Sequence, residues 1–292
     1  MDLLHWPGDY GLASIDVDCL HVMAYCKMAN IDIQFKKYSN TFKTPNGKLP
    51  LLRGENDVID GKERIIKHLK QERDLEEGLD GKVRADILAF TTLVETKLKP
   101  AVLYLSWVDS ENFTKVSRKW YANVLPFPLN YVVPGKLHRQ ANSYVEASYN
   151  LDEKAIGIQV LNTAKCCIDL LADRLGELNF FCGSRPTSLD AIVYAYLAII
   201  CKIQLHNNIL KPHLQRYPNL VNLVDRIHRN YFPSKEEPST PSVSSSDFRL
   251  VDKLYFAGMA IGATLAYTVL SGFVTIAAVD EDEDDMVDFD DE

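Results

Sequence analysis

The chain has 292 residues, of which 47% are apolar, 25% charged and 10% aromatic, an ordinary globular balance that excludes a wholly disordered or collagen-like polypeptide. The net charge of -8 is local, because Asp280 to Glu292 carries 10 of the 40 acidic residues and none of the 32 basic ones. The remainder is close to neutral and lacks the basic surplus that phosphate contacts demand, so no nucleic-acid partner is expected.

Leu3 to His5 reads as a short strand, and Asp16 to Ala29 as a helix with Leu20, Met23, Ala24 and Lys27 on one face. Ile31, Ile33 and Phe35 alternate with Asp32, Gln34 and Lys36, which predicts a half-buried strand. Asn46-Gly47 marks a turn. Leu49, Leu51 and Leu52 surround Pro50; a proline there lacks a ladder donor, so it belongs at a sheet edge or in a cis turn. Val58-Ile59 and a helix over 61–72 complete a β-α-β-β-β-α order, a small α/β domain over residues 1–75.

From Asp80 the reading is all helical, giving a second domain over 76–232. Pro100 is expected to kink or restart a helix that continues to Trp107. Phe113 to Val124 and Gly135 to Tyr149 read as helices around a proline-rich loop, Pro126 to Pro134, whose aromatic portion Phe127 to Val133, with Trp120 and Tyr121, is a candidate exposed surface. Asp152 to Leu175 is amphipathic, with Ile156, Val160, Ala164, Cys167, Leu171 and Leu175 on one face. All 11 positions of Ala191 to Cys201 are apolar, which predicts a helix buried on every side. Thr187 and Asp190 have the spacing of a capping box ahead of it. Leu220, Leu223, Val224, Ile227 and Tyr231 mark the last helix of this domain.

Pro233 to Asp247 has three prolines and six serines in 15 residues and opens a linker over 233–249. Leu254 to Val279 then runs for 26 residues without a charge. As a helix it is about 39 Å long, enough to cross a hydrocarbon core of about 30 Å. Residues 250–279 are therefore expected to be a single transmembrane anchor, marked by Leu254, Gly258, Gly262, Ala266, Gly272 and Val279. Gly258 and Gly262 form a GxxxG pair. With an acidic tail at 280–292, this predicts a tail-anchored protein in the lipid bilayer. Arg249 and Lys253 before the span place the large domain in the cytosol by the positive-inside rule. Met1 to Gly11 has neither the basic start nor the apolar run of a signal peptide.

The six cysteines, Cys19, Cys26, Cys166, Cys167, Cys182 and Cys201, include no CxxC spacing and read as reduced, buried thiols. The seven histidines have no metal-binding spacing, and neither GxxxxGK[ST] nor GxGxxG occurs, so no metal or cofactor is expected. Leu49 to Leu52, the strand-turn-helix that follows, and Phe181 to Asp190 are similar to the glutathione-transferase architecture, a thioredoxin-like domain followed by an all-α one. That resemblance implies a thiolate-stabilising residue near the first helix and a Glu/Gln-Ser pair opening the next. Ser14 is the candidate hydroxyl, with a helix N-cap as its simpler role; Asp16 and Asp18 beside it oppose a thiolate. Gly61-Lys62 stands where the serine pair should be, and Lys62 reads as a solvated first-turn lysine.

Asp16 to Leu20, Leu49 to Leu51, Phe181 to Asp190 and the C-terminal span together resemble the metaxin family. The resemblance implies a non-enzymatic subunit at the mitochondrial outer membrane, working with a partner metaxin and the sorting and assembly machinery on precursor polypeptides, β-barrel precursors especially. Pro50, Thr187 and Asp190 would be its fold-determining positions. A membrane-anchored glutathione-transferase-like enzyme is the alternative.

Overall fold

The computed structural model describes residues 1–54, 57–149, 153–233, and near the C-terminus 258–259, 261–264, 267–268 and 271. Met1–Ser239 and Thr240–Glu292 fall into two units. In the first, β1 (Asp2–His5) is followed by α1 (Val17–Met28), β2 (Gln34–Lys37), β3 (Leu51–Arg53), β4 (Val58–Asp60) and α2 (Lys62–Glu72), the element order anticipated. The sheet order is β2-β1-β3-β4, with β1 parallel to β2 and antiparallel to β3.

Register explains why so short a sheet is stable. Leu3 pairs with Leu52 and Leu4 with Leu51, and side chains alternate across the pleat. Leu3 and Leu52 enter the main core with α1 and the helices behind it, whereas Leu4 and Leu51 enter a second core with Trp6, Trp107 and Tyr121. β2 begins three residues later than its alternation suggested. Ile33 is buried just before the strand, while Gln34, Lys36 and Lys37 are exposed on an edge strand that needs no apolar face. β3 is interior to the sheet, so Pro50 is not at an edge; it sits just ahead of β3 after a cis Leu49-Pro50 bond, as the turn reading required.

A continuous helical run follows: α3 (Gly81–Leu93), a π-helical turn over Val94–Leu98, α4 (Lys99–Leu103) and a second π turn over Tyr104–Val108. Pro100 lies one residue into α4, and the wider turn before it shifts the ladder so that Lys99 N–H bonds Val94 O; the chain restarts its α-helix there without leaving the helix. Short α5 (Ser110–Asn112) and α6 (Arg118–Val124) flank a third π turn, Phe113–Ser117.

α7 (Leu129–Ser148) corrects the loop expected over Pro126 to Pro134, since it begins six residues earlier than Gly135 and holds Pro134 inside it. Burial of Leu129 and Val133, one turn apart, outweighs the missing proline donor. α8 (Glu153–Leu175) buries every residue assigned to its inner face. Its stretch Ala155–Leu175 is long and apolar enough to cross a membrane, but half of the most apolar window is buried within the protein, as befits a core helix. α9 (Ser188–Lys202) is buried from Ser188 to Ile200. A short α10 (Leu210–Leu214), not anticipated, precedes α11 (Pro218–Tyr231), which buries Leu220, Leu223, Val224 and Ile227. All six thiols are free; Cys166 is exposed, and Cys182 and Cys201 half-buried, against the expectation that all were buried.

Of the anticipated anchor residues, Gly258 and Gly262 lie in described helical stretches and are exposed. Leu254, Ala266, Gly272 and Val279 lie outside the described residues, as do the linker after Pro233 and the acidic tail.

Candidate functional site

The N-terminus of α1 meets α2 and the first π turn at a cluster of charges. Asp16 is the N-cap of α1, accepting from Cys19 N–H at 2.9 Å. The cap therefore falls on Asp16, not on Ser14 as anticipated; Ser14 is fully buried, and its Oγ accepts from Asp16 N–H at 3.3 Å. A hydroxyl so enclosed is not presented to a ligand. Burial, and then the neighbouring Asp18, push the Asp16 carboxyl up to about 7.

Lys62 also departs from its expected solvated state. Its side chain is 2% exposed, and Nζ lies 3.3 Å from Asp18 and 2.9 Å from Glu95. Burial opposes the charge, but Asp18, Tyr196 and Glu95 more than offset it and raise the ammonium's pKa. The signal was present in the sequence: Lys62, Ile65 and Leu69 stand at i, i+3 and i+7, and these are the buried residues of α2. Glu95, from the first π turn, had no such signal, because its partner lies 33 residues away.

At the other end of α9's approach, Thr187 and Asp190 close the capping box. Asp190 Oδ2 accepts from Thr187 N–H and Thr187 Oγ1 at 2.8 Å each, and Oδ1 accepts from Phe181 N–H at 3.0 Å. Burial raises this carboxyl to about 6 despite those three donors.

Two hollows adjoin the α1 terminus. A small one of about 100 Å³ lies between Ile15 and Val17 on one side and Trp107, Tyr196 and Ile199 on the other. A larger groove of about 590 Å³ runs between the segment Thr41 to Leu49 and α7, floored by Trp6, Trp107 and Tyr121. Tyr121 makes edge or tilted contacts with Trp6 and Trp107 at 4.9 Å centroid separation. It is buried, and Trp120 is half-buried with its indole N–H donated to Asp9 at 2.8 Å, so neither is the exposed surface anticipated. Within Phe127 to Val133 the exposed residues are Pro128, Tyr131 and Val132. Among the described residues no group of three His, Cys, Asp or Glu side chains could hold a metal ion.

Residues 19–138 match a family model described as an outer mitochondrial membrane transport complex protein, and 164–227 match one for the glutathione S-transferase C-terminal domain. Metaxin-1 of Macaca fascicularis is 34% identical over 290 residues, covering 94% of this chain and 92% of that protein. The chain belongs to the metaxin family. Metaxin-3 of Xenopus laevis is 37% identical over 81% of this chain and 78% of its own. Solved structures establish the fold: a β-etherase from Sphingobium superposes with a TM-score of 0.53 at 15% identity, covering 78% of this chain and 94% of that one. A glutathione S-transferase of Vibrio parahaemolyticus gives 0.50 at 16%, covering 80% and 96%. The metaxin family resemblance and the two-part transferase-like body read from the residues are thereby both established.

Proposed function

We propose that this metaxin family member is a non-enzymatic subunit of a mitochondrial outer-membrane protein import and sorting complex. In this reading it is held by a C-terminal anchor with its body in the cytosol, and acts beside a partner metaxin on β-barrel precursors. The observation that carries the non-enzymatic part is the fate of Lys62. An anionic thiol substrate would need a free donor where α2 begins, yet Lys62 is turned inward and spent on Asp18 and Glu95, and Arg64 in the same turn is paired with Asp60. With Ser14 buried and Asp16 capping α1, the neighbouring carboxylates oppose a thiolate rather than stabilise it.

The test is crosslinking of the full chain in isolated outer membranes, followed by identification of its neighbours and by alkaline carbonate extraction. Outer-membrane β-barrel assembly components among the neighbours, with the chain retained in the pellet, are the expected result. Release into the supernatant overturns the anchor. Glutathione conjugation by the purified chain that vanishes in Ser14→Ala overturns the non-enzymatic role.

A further inference from the structure

We propose that the groove between Thr41–Leu49 and α7 docks an amphipathic helix of a partner polypeptide, one whose apolar face is flanked by carboxylates. This rests on the reading of the body as a handler of other polypeptides and narrows it to a site.

One wall is a helical ridge. Val132, Lys136, Gln140 and Tyr144 follow one another at intervals of four along α7 and all line the groove. At about 1.5 Å per residue the ridge is about 18 Å long, three turns or more. Such i±4 ridges are the surfaces into which a second helix packs. Val132 is 55% exposed and Tyr144 37%, so the ridge has no apolar cover among the described residues. Opposite it, Phe42 is 74% exposed. Its segment is tied down: Thr44 Oγ1 donates to Thr41 O at 2.8 Å, and Asn46 donates to the Asp60 carboxylate at the end of β4. An aromatic held out on a pinned segment, over a floor of packed rings, has the form of a binding hot spot.

Charge selects the partner. Lys48, Lys99 and Lys136 line the groove, and none of them pairs with a carboxylate among the described residues. Lys99 lies over the Tyr144 ring at 5.0 Å, and Lys136 Nζ reaches across toward Gly47. The two carboxylates in the groove form no ion pair with these lysines: Asp18 pairs with Lys62, and Asp16 accepts from Cys19 N–H. A partner with acidic flanks meets three available cations, whereas a basic one meets repulsion.

The experiment is fluorescence anisotropy on the full chain in mild detergent. The probe is a labelled 16-residue helix-forming peptide with leucines on one face and glutamates flanking them, and the control replaces each glutamate by lysine. The acidic peptide is expected to bind and the lysine version to bind about tenfold more weakly. Val132→Asp is expected to cost about tenfold, and Lys136→Glu to weaken the acidic peptide and improve the basic one. Both positions are exposed, and unchanged melting temperatures exclude misfolding as the cause. Equal binding of the two peptides, indifference to both substitutions, or photocrosslinks from position 132 that reach only a second copy overturn the groove. If the peptide fails to bind while the chain still captures outer-membrane assembly components, the groove falls and the proposed function stands; if that capture also fails, both fall.

Discussion

α9 and α7 are both helices of the same body, yet they are built for opposite ends. α9 opens with a closed capping box and hides its side chains from Ser188 to Ile200. α7 opens after Pro128 with no side-chain cap, carries a proline within, and leaves Tyr131, Val132 and Tyr144 in solvent. A helix that gives every face to the core cannot also present a surface, and one that presents a surface gives up part of its packing. α9 is thus the frame on which α1 and α3 are seated, and α7 is the helix that presents a surface.

The sharpest way to break this contrast is to truncate one apolar side chain on each. Leu197 is fully buried, so Leu197→Ala is expected to cost about 3 kcal/mol of unfolding free energy. Val132→Ala is expected to stay within about 0.5 kcal/mol. Urea denaturation of both variants checks this, and similar losses would erase the distinction between frame and face.

Asp190→Ala probes how the frame begins. Three donors, Phe181 N–H, Thr187 N–H and the Thr187 hydroxyl, lose their acceptor in a buried place. The expected loss is about 2 kcal/mol, partly relieved because a buried charge goes with it. Retention of full stability would remove Thr187 and Asp190 from the positions that determine the fold.

Lys62→Ala tests the joint between α2 and the helical part. Removing the cation leaves Asp18 and Glu95 facing one another, a change that costs 3 kcal/mol or more in a dry interior. Here both carboxylates are more than a third exposed, so water screens them and about 1 to 2 kcal/mol is expected. A variant that gains glutathione binding while losing this stability would show that the inward lysine had been closing the site.

Periodicity made the helical frame legible: α8 and α9 follow from their apolar spacing because burial repeats with the turn. The same reasoning failed where local rules competed with tertiary packing. The proline-rich stretch before Gly135 looked like a loop, and only contact with Trp107 and Tyr121, distant in sequence, makes Leu129 and Val133 worth burying in a helix. Lys62 has the chemistry of a surface residue but the spacing of an inward one. Lys99, the segment Thr41 to Leu49 and the ridge of α7 come together only in three dimensions, so the groove has no linear signature.

The smallest expected effect lies at the α1 terminus, where Asp16 lines the groove. Asp16→Asn keeps an oxygen to accept from Cys19 N–H, so the cap of α1 survives. What it removes is a carboxyl whose folded pKa, raised by burial and Asp18 to about 7, exceeds the ordinary value of 3.8. Between those two values the folded chain holds a proton that the unfolded chain has released, so wild-type stability falls as the pH rises through that window. Asn does not titrate. The variant is therefore expected to match the wild type near pH 4 and to be more stable by about 1 kcal/mol at pH 8, a figure reduced from the full linkage value because Asp16 is only half-buried. Urea midpoints at the two pH values decide it: a gap that does not widen with pH means the carboxyl is already ionised beside Asp18, and the groove then carries a standing negative charge that would weaken its preference for an acidic partner.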